Sequence, residues 1–264
     1  MRKQDLLYRL DAIGQSLERT GGALLLFGLG SVGIELERLD DYSDLDFFVI
    51  VKPKYKSRFI EQLDWLESVH PLAFTFRNTK DGHKIFFEDG IYAEFAIFEE
   101  KEMEQIAFSE GRIVWQDANF SHNNLHIPSI KNVSSNKDRS LDYSLNEALT
   151  NLYVGLCRYA RGEKLSALKF VQGEAIENIL NVLHLLEPEV DYFPDVFSNE
   201  RRLEKRFPRF EQVIGDMMQG YKYVPESALH ILKYLEDVFP VNQRMGEEIR
   251  RLANLYMELS EDSQ

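Results

Sequence analysis

The sequence predicts an α+β chain in two parts: a mixed-sheet domain over residues 1–118, a linker over 119–139, and an all-α helical bundle over 140–264. Three observations carry that division. Short apolar runs bounded by turn signals fill the first half, as in strands. Beyond residue 140 strand signals vanish and apolar residues recur at helical spacing. Between the two lies Asp117 to Asp138 (DANFSHNNLHIPSIKNVSSNKD), rich in Asn, Ser and His and almost without periodicity.

The elements follow in order. Leu6, Leu7, Leu10, Ile13 and Leu17 make one stripe of a helix over residues 4–18, which Gly21-Gly22 ends. Ala23 to Leu29 is a continuous apolar run, as in a buried central strand, and Leu45 to Val51 (LDFFVIV) is a second one stopped by Pro53. Phe59, Ile60, Leu63 and Leu66 predict one helix between Tyr55 and Val69. Strand-like pieces follow at 72–78, 84–88 and 91–98, separated by Lys80-Asp81-Gly82 and Asp89-Gly90, both turn formers. A helical turn or two over 103–109 and a last edge strand over 112–115 complete the half. In the second half, helices are expected over 141–161, 165–186, 210–219, 226–239 and 242–259, with Gly162 as a C-terminal cap and Pro188 and Pro194 bounding a longer connection.

Composition narrows the function. The 264 residues hold 31 Lys plus Arg against 44 Asp plus Glu, a net charge of −13. That balance opposes a protein whose main task is gripping nucleic acid, because phosphate neutralisation needs a basic face. With 44% hydrophobic and 12% aromatic residues the chain has ample material for a core. The lone cysteine, Cys157, makes neither an internal disulfide nor a thiolate metal site and reads as a small buried apolar residue. The most apolar run, Ala23 to Ile34, is broken by three glycines and falls well short of the roughly 20 residues of a membrane span. Arg2 and Lys3 lead into an amphipathic stretch, not the apolar core of a signal peptide, so the expected place is the cytoplasm.

The chemistry is concentrated in Phe27 to Val51, FGLGSVGIELERLDDYSDLDFFVIV. Gly30-Ser31 follows one buried strand directly, and Asp44-Leu45-Asp46 opens the next. Twelve residues lie between Ser31 and Asp44, room for a short helix and a turn. Acid–x–acid pairs alone mean little here, since one residue in six is acidic. Asp44 and Asp46 differ from the rest by their strand. Residues two apart on a strand point to the same side, so both carboxylates project together at the lip of an apolar element. A divalent cation neutralises such a pair. A glycine and a small hydroxyl residue after a strand let backbone N–H groups approach a phosphate closely. A phosphate cradle beside a paired carboxylate is the arrangement that nucleotidyl transfer needs.

These residues resemble the signature of the polymerase-β-like nucleotidyltransferase superfamily: Gly30-Ser31, a spacer, then Ser43-Asp44-Leu45-Asp46 running into Phe-Phe-Val-Ile-Val. The resemblance implies a third carboxylate on a later strand, and Glu94, the lone acid in Tyr92-Ala93-Glu94-Phe95-Ala96-Ile97-Phe98, is its match. Tyr159-Ala160-Arg161-Gly162-Glu163, Ala167, Arg201-Arg202-Leu203-Glu204 and Arg206-Phe207-Pro208 are similar to the helical domain of lincosamide and aminoglycoside nucleotidyltransferases. The resemblance then implies a catalytic set of Asp44, Asp46 and Glu94 holding one or two Mg²⁺, with Gly30 and Ser31 on the phosphates of an NTP, ATP first. Glu94 serves as metal ligand, general base or both. The acceptor is a small hydroxylated molecule, such as one of those antibiotics. The alternatives are a protein-modifying transferase and a non-catalytic module of the toxin–antitoxin kind.

Other residues carry lesser expectations. Lys52, Lys54, Lys56 and Arg58 read as a solvated basic face before they read as triphosphate ligands. Arg201 and Arg202 suit either phosphate binding or helix capping. His122 and His126 sit in the polar linker without helical periodicity and make a poor metal site. Tyr153, Tyr159, Tyr221 and Tyr223 suit packing before an acceptor pocket. The wide apolar arc of Ile176, Ile179, Leu180, Val182, Leu183 and Leu185 suits a buried bundle or a homodimer interface.

Overall fold

A computed structural model describes residues 3–105, 111–120, 140–192 and 200–261. The chain divides into two compact units, Met1–Ser135 and Asn136–Gln264. The first is a mixed six-stranded sheet with helices; in the second, every regular element among the described residues is a helix. No described helix is long and apolar enough to cross a membrane.

In the first unit, α1 (Lys3–Thr20) leads to β1 (Ala23–Gly28), β2 (Leu45–Val51), α2 (Lys56–Glu61), α3 (Asp64–Glu67), β3 (Leu72–Phe76), β4 (Gly82–Phe87), β5 (Tyr92–Glu99) and β6 (Arg112–Gln116). The strand order is β3-β4-β5-β2-β1-β6. β2 and β5 run parallel, and the other neighbours are antiparallel. The β4–β5 hairpin forms where Asp89-Gly90 marks it: Gly90 takes φ +92, and the Phe87 N–H donates to the Ile91 carbonyl at 2.9 Å.

The two faces of this sheet differ because the strands alternate. One face is the main core. Phe47, Val49 and Val51 of β2, Ala93, Phe95 and Ile97 of β5, and Ile85 and Phe87 of β4 pack there against Leu6, Leu10, Ile13 and Leu17 of α1. Phe47 and Phe95, paired in register, stack at 5.3 Å, and Trp65 meets both edge-on. The opposite face carries Asp46, Phe48 and Ile50 on β2 and Glu94, Ala96 and Phe98 on β5. Its far end is a smaller apolar cluster that includes Leu25, Phe27, Ile50 and Met103, with Phe48 on Phe98 edge-to-face. Polar groups are therefore confined to the N-terminal ends of the parallel pair.

Two single helices expected from the sequence are interrupted. The stretch 55–69 breaks at Gln62, whose backbone is extended. Phe59 and Trp65 are six residues apart and on one continuous helix would point about 120° apart; the break resets the phase so that both enter the core, with Trp65 Nε1 donating to the Phe59 carbonyl at 3.2 Å. The stretch 165–186 becomes α5 (Lys164–Leu168), a π-helical segment (Lys169–Ala175) and α6 (Ile176–Leu186).

The second unit is arranged around α4 (Leu141–Ala160). Ser140 caps its start by accepting from the Tyr143 N–H, and Gly162, at φ +81, ends it. There the Gly162 N–H donates to the Tyr159 carbonyl and the Glu163 N–H to the Arg158 carbonyl, a Schellman closure. Gly155 lets α4 meet the π segment: a Cβ there would lie 2.6 Å from Val171. The buried Gln172 side chain clamps Gly220, donating to its carbonyl and accepting from its N–H. Further along are α7 (Leu203–Arg206), α8 (Pro208–Met217), α9 (Val224–Val238) and α10 (Gln243–Glu261). Ile176, Ile179, Val182 and Leu183 are buried inside the unit, whereas Leu185 is exposed.

Candidate active site

Asp46 and Glu94 come together by strand register. They are direct partners across the parallel pair β2–β5, so both carboxylates leave the same face of the sheet at the same height. Both are half-buried. Asp44 precedes the strand by one residue and is also half-buried. Its loop is fixed by a tight turn: the Ser43 hydroxyl donates to Asp40 Oδ1 and accepts from the Asp40 N–H, while the Tyr42 N–H donates to Asp40 Oδ1.

Gly30 stands beside this pair. Its φ of +51 is a backbone position that glycine adopts without cost, and a Cβ built there would lie 3.9 Å from Asp46 Oδ2. The Leu29 N–H donates to the Asp46 carbonyl at 2.8 Å, tying the Gly30-Ser31 turn to the carboxylate's own strand. The expected helix between Ser31 and Asp44 is not formed. Two single 3₁₀ turns, Gly30–Val32 and Leu36–Arg38, take its place, with the backbone hydrogen bonds closed locally: the Gly33 and Glu35 N–H groups both donate to the Gly30 carbonyl. The turn offers backbone N–H groups without a helix dipole behind them.

Two neighbours of Glu94 were not singled out in the sequence. Asn78 Nδ2 donates to Glu94 Oε1 at 2.7 Å. Lys84 on β4 is the antiparallel partner of Glu94 and is only 8% exposed, so Asp46, Glu94 and Lys84 form one row across three strands. A lone charge in the strand Gly82–Phe87 (GHKIFF) is the signal that could have found Lys84, the same signal that marked Glu94. Arg112 is the partner of Gly28 across β1–β6 and donates to the Val32 carbonyl at 3.3 Å, which sets a cation against the Gly30-Ser31 turn.

Among the described residues, no group of three or more His, Cys, Asp or Glu side chains converges on one cation position. A Mg²⁺ ion asks for less: it keeps several waters and takes one or two carboxylates together with substrate phosphates. The hard oxygen donors of Asp46 and Glu94, in register on one face, fit that requirement.

No family profile and no curated protein matches the chain. Among solved structures, an aminoglycoside 6-adenyltransferase from Bacillus subtilis is similar along nearly its whole length, with 13% sequence identity, a TM-score of 0.31, and coverage of 99% of this chain and 98% of that one.

The remaining singled-out residues fall elsewhere. Lys56 bonds Asp81 and Glu102; burial works against its charge, yet those two carboxylates hold its pKa above the ordinary lysine value. Lys52 donates to the Gly21 carbonyl and Arg58 to Asp64, so much of the basic cluster serves the fold. Arg202, at φ +60, accepts through its carbonyl from the Lys205 and Arg206 N–H groups at the start of α7. Tyr153 and Tyr159 are buried, Tyr221 and Tyr223 are exposed, and Cys157 is buried. His122 and His126 lie outside the described residues.

Proposed function

We propose that the protein is a nucleotidyltransferase that moves a nucleoside monophosphate from an NTP, ATP first, to a hydroxyl of a small molecule and releases pyrophosphate. The observation that supports it most is the in-register pairing of Asp46 with Glu94, with the Gly30 turn against Asp46. The Gly30-Ser31 and Asp44-Leu45-Asp46 signature points the same way.

In this reading, the acceptor oxygen forms a bond to the α-phosphorus, the bond from that phosphorus to the β-bridging oxygen breaks, and pyrophosphate leaves with the bonding pair. Glu94 takes the proton of the acceptor hydroxyl, with the Asn78 amide fixing the orientation of its carboxylate. The backbone N–H groups of Gly30 and Ser31 and the Ser31 hydroxyl hold the terminal phosphates. The bond from Leu29 to Asp46 keeps that cradle at a fixed separation from the carboxylates. Lys84 and Arg112 offset negative charge as the nucleotide enters. Together with the substrate phosphates, Asp46 and Glu94 would hold one or two Mg²⁺, which supply positive charge to the α-phosphate and the leaving oxygens when bound. Asp44, one residue before the strand, is the further carboxylate of the signature.

The acceptors to try first are lincosamides and aminoglycosides. The test is acceptor-dependent pyrophosphate release with Mg²⁺ and each of the four NTPs. The proposal expects release with one acceptor class, lost in Asp44→Asn, Asp46→Asn and Glu94→Gln; release that survives Asp46→Asn contradicts it.

A further inference from the structure

Asn78 uses only half of its side-chain amide within the protein. It lies in the loop from β3 to β4, two residues beyond Phe76. That loop is held by its own bonds. Arg77 donates to the Thr79 and Lys80 carbonyls at 3.3 and 2.7 Å, and the Ile97 N–H donates to the Asp81 carbonyl at 2.8 Å, which ties the loop to β5. From this fixed base Asn78 Nδ2 donates to Glu94 Oε1 at 2.7 Å.

The other end of the amide is unused. Oδ1 is shielded from solvent, and among the described residues it has no hydrogen-bond partner; Lys84, the cation of the neighbouring row, does not bond it. The bond to Glu94 decides which end is which. A carboxylate only accepts, so the NH₂ faces it and Oδ1 is turned away. A buried acceptor without a donor costs stability and calls for a partner from outside the chain. Asn78 and Glu94 are both half-buried, so the pair is not sealed inside the sheet unit.

We infer that Asn78 determines which acceptors are used: its Oδ1 accepts a hydrogen bond from a second donor of the acceptor molecule, a hydroxyl or amino group on the carbon next to the one whose hydroxyl reacts. This rests on the transferase reading, in which Glu94 takes the proton of the reacting hydroxyl. Oδ1 is separated from the Glu94 carboxylate by one amide group and one hydrogen bond, a span that substituents on neighbouring carbons match. One donor meets Glu94, its neighbour meets Oδ1, and the two contacts together orient the attacking oxygen. A lone hydroxyl leaves Oδ1 unpaired in the loaded site, and a neighbouring ether oxygen sets acceptor against acceptor, so both are selected against. Nδ2 stays on Glu94 throughout, so a single side chain orients the base and reads the substrate.

Pyrophosphate release with Mg²⁺ and the four NTPs tests it, with 1,2-cyclohexanediol, 2-aminocyclohexanol, 2-methoxycyclohexanol and cyclohexanol as acceptors beside the antibiotics. The diol or the amino alcohol should exceed the methoxy ether and cyclohexanol by about tenfold or more in kcat/KM. Asn78→Ala should lower kcat with every acceptor, because Glu94 loses its Nδ2 contact, and should also bring that ratio close to unity. A merely structural Asn78 would lower all four alike and leave the ratio unchanged. The thermal midpoint shows whether the variant is folded, and the ratio in the parent decides the matter if it is not. Equal kcat/KM in the parent, a ratio that survives Asn78→Ala, or release with the antibiotics but with none of the cyclohexane compounds overturns this inference and leaves the transferase reading standing. Release with no acceptor at all removes that reading and this inference with it.

Discussion

Asp46 and Glu94 stand directly opposite each other on neighbouring parallel strands, with the backbone of Gly30 close against Asp46 and Lys84 completing the row on the next strand. Neither carboxylate is placed by a loop. Each sits at the N-terminal end of a strand whose following residues on the same face turn apolar, Phe48 and Ile50 after Asp46, Ala96 and Phe98 after Glu94. The sheet thus fixes the separation of the two groups, and their chemistry is held on rigid elements.

Substituting this pair should separate activity from folding. Asp46→Asn and Glu94→Gln keep size and shape, so circular dichroism and thermal midpoint should stay near those of the parent. Turnover should fall by about a hundredfold to a thousandfold or more. A variant that retains full turnover would remove that residue from the site.

Gly30→Ala should cost more in activity than in stability. The left-handed backbone at φ +51 imposes about 1 kcal/mol on alanine. The new Cβ finds an ordinary contact distance, but beside Asp46 Oδ2. Urea unfolding should show the small stability loss. Parallel kinetics should show a fall in kcat/KM larger than that loss accounts for.

Gly155→Val should destabilise the helical unit by about 1–3 kcal/mol, because α4 and the π segment cannot separate without giving up their contact. The cost should appear in denaturant titration as a lower midpoint. Trp65→Ala should cost the sheet unit about 3–5 kcal/mol, since its ring fills the angle between Phe47 and Phe95.

Glu248 on α10 gives a pH dependence with a defined sign. Burial pushes its carboxyl up, but Arg251 and then Arg244 outweigh burial and hold it below the ordinary value of 4.5. A depressed folded pKa contributes stability that is present above the unfolded value and is lost as pH falls through the folded one. Glu248→Gln should therefore cost about 1–2 kcal/mol near pH 7. The gap to the parent should close as unfolding is measured at progressively lower pH below about 4.

Local patterns fixed much of this architecture, and long-range pairing supplied the rest. Leu45–Val51 is legible to the residue because a continuous apolar run ends against Pro53. The β4–β5 hairpin is legible because Asp89-Gly90 permits its turn. The break at Gln62 was not, since Leu63 and Leu66 fit the helical stripe as well as Phe59 does. The π segment was not: its Gln172 bonds Gly220, 48 residues away, a partner that local spacing does not announce. Asp46 is legible at the head of the run Leu45–Val51, whereas Asp44 falls one residue before the strand, so alternation along the strand does not govern it, and Glu94 is marked by family resemblance. That Glu94 lies in register with Asp46 follows from β5 pairing with β2, a partnership between distant segments that neither strand announces. Lys84 and Asn78 escaped notice for the same reason: their significance lies in the strand beside them.

The acceptor's mass tests the central claim most directly. Purified protein is incubated with Mg²⁺, NTP and the acceptor that elicits pyrophosphate release, and the acceptor is recovered for mass spectrometry. The account predicts a gain of one nucleoside monophosphate, absent with Asp46→Asn and with Glu94→Gln. An acceptor that gains a phosphoryl group alone, or stays unchanged while nucleotide is consumed, would contradict it.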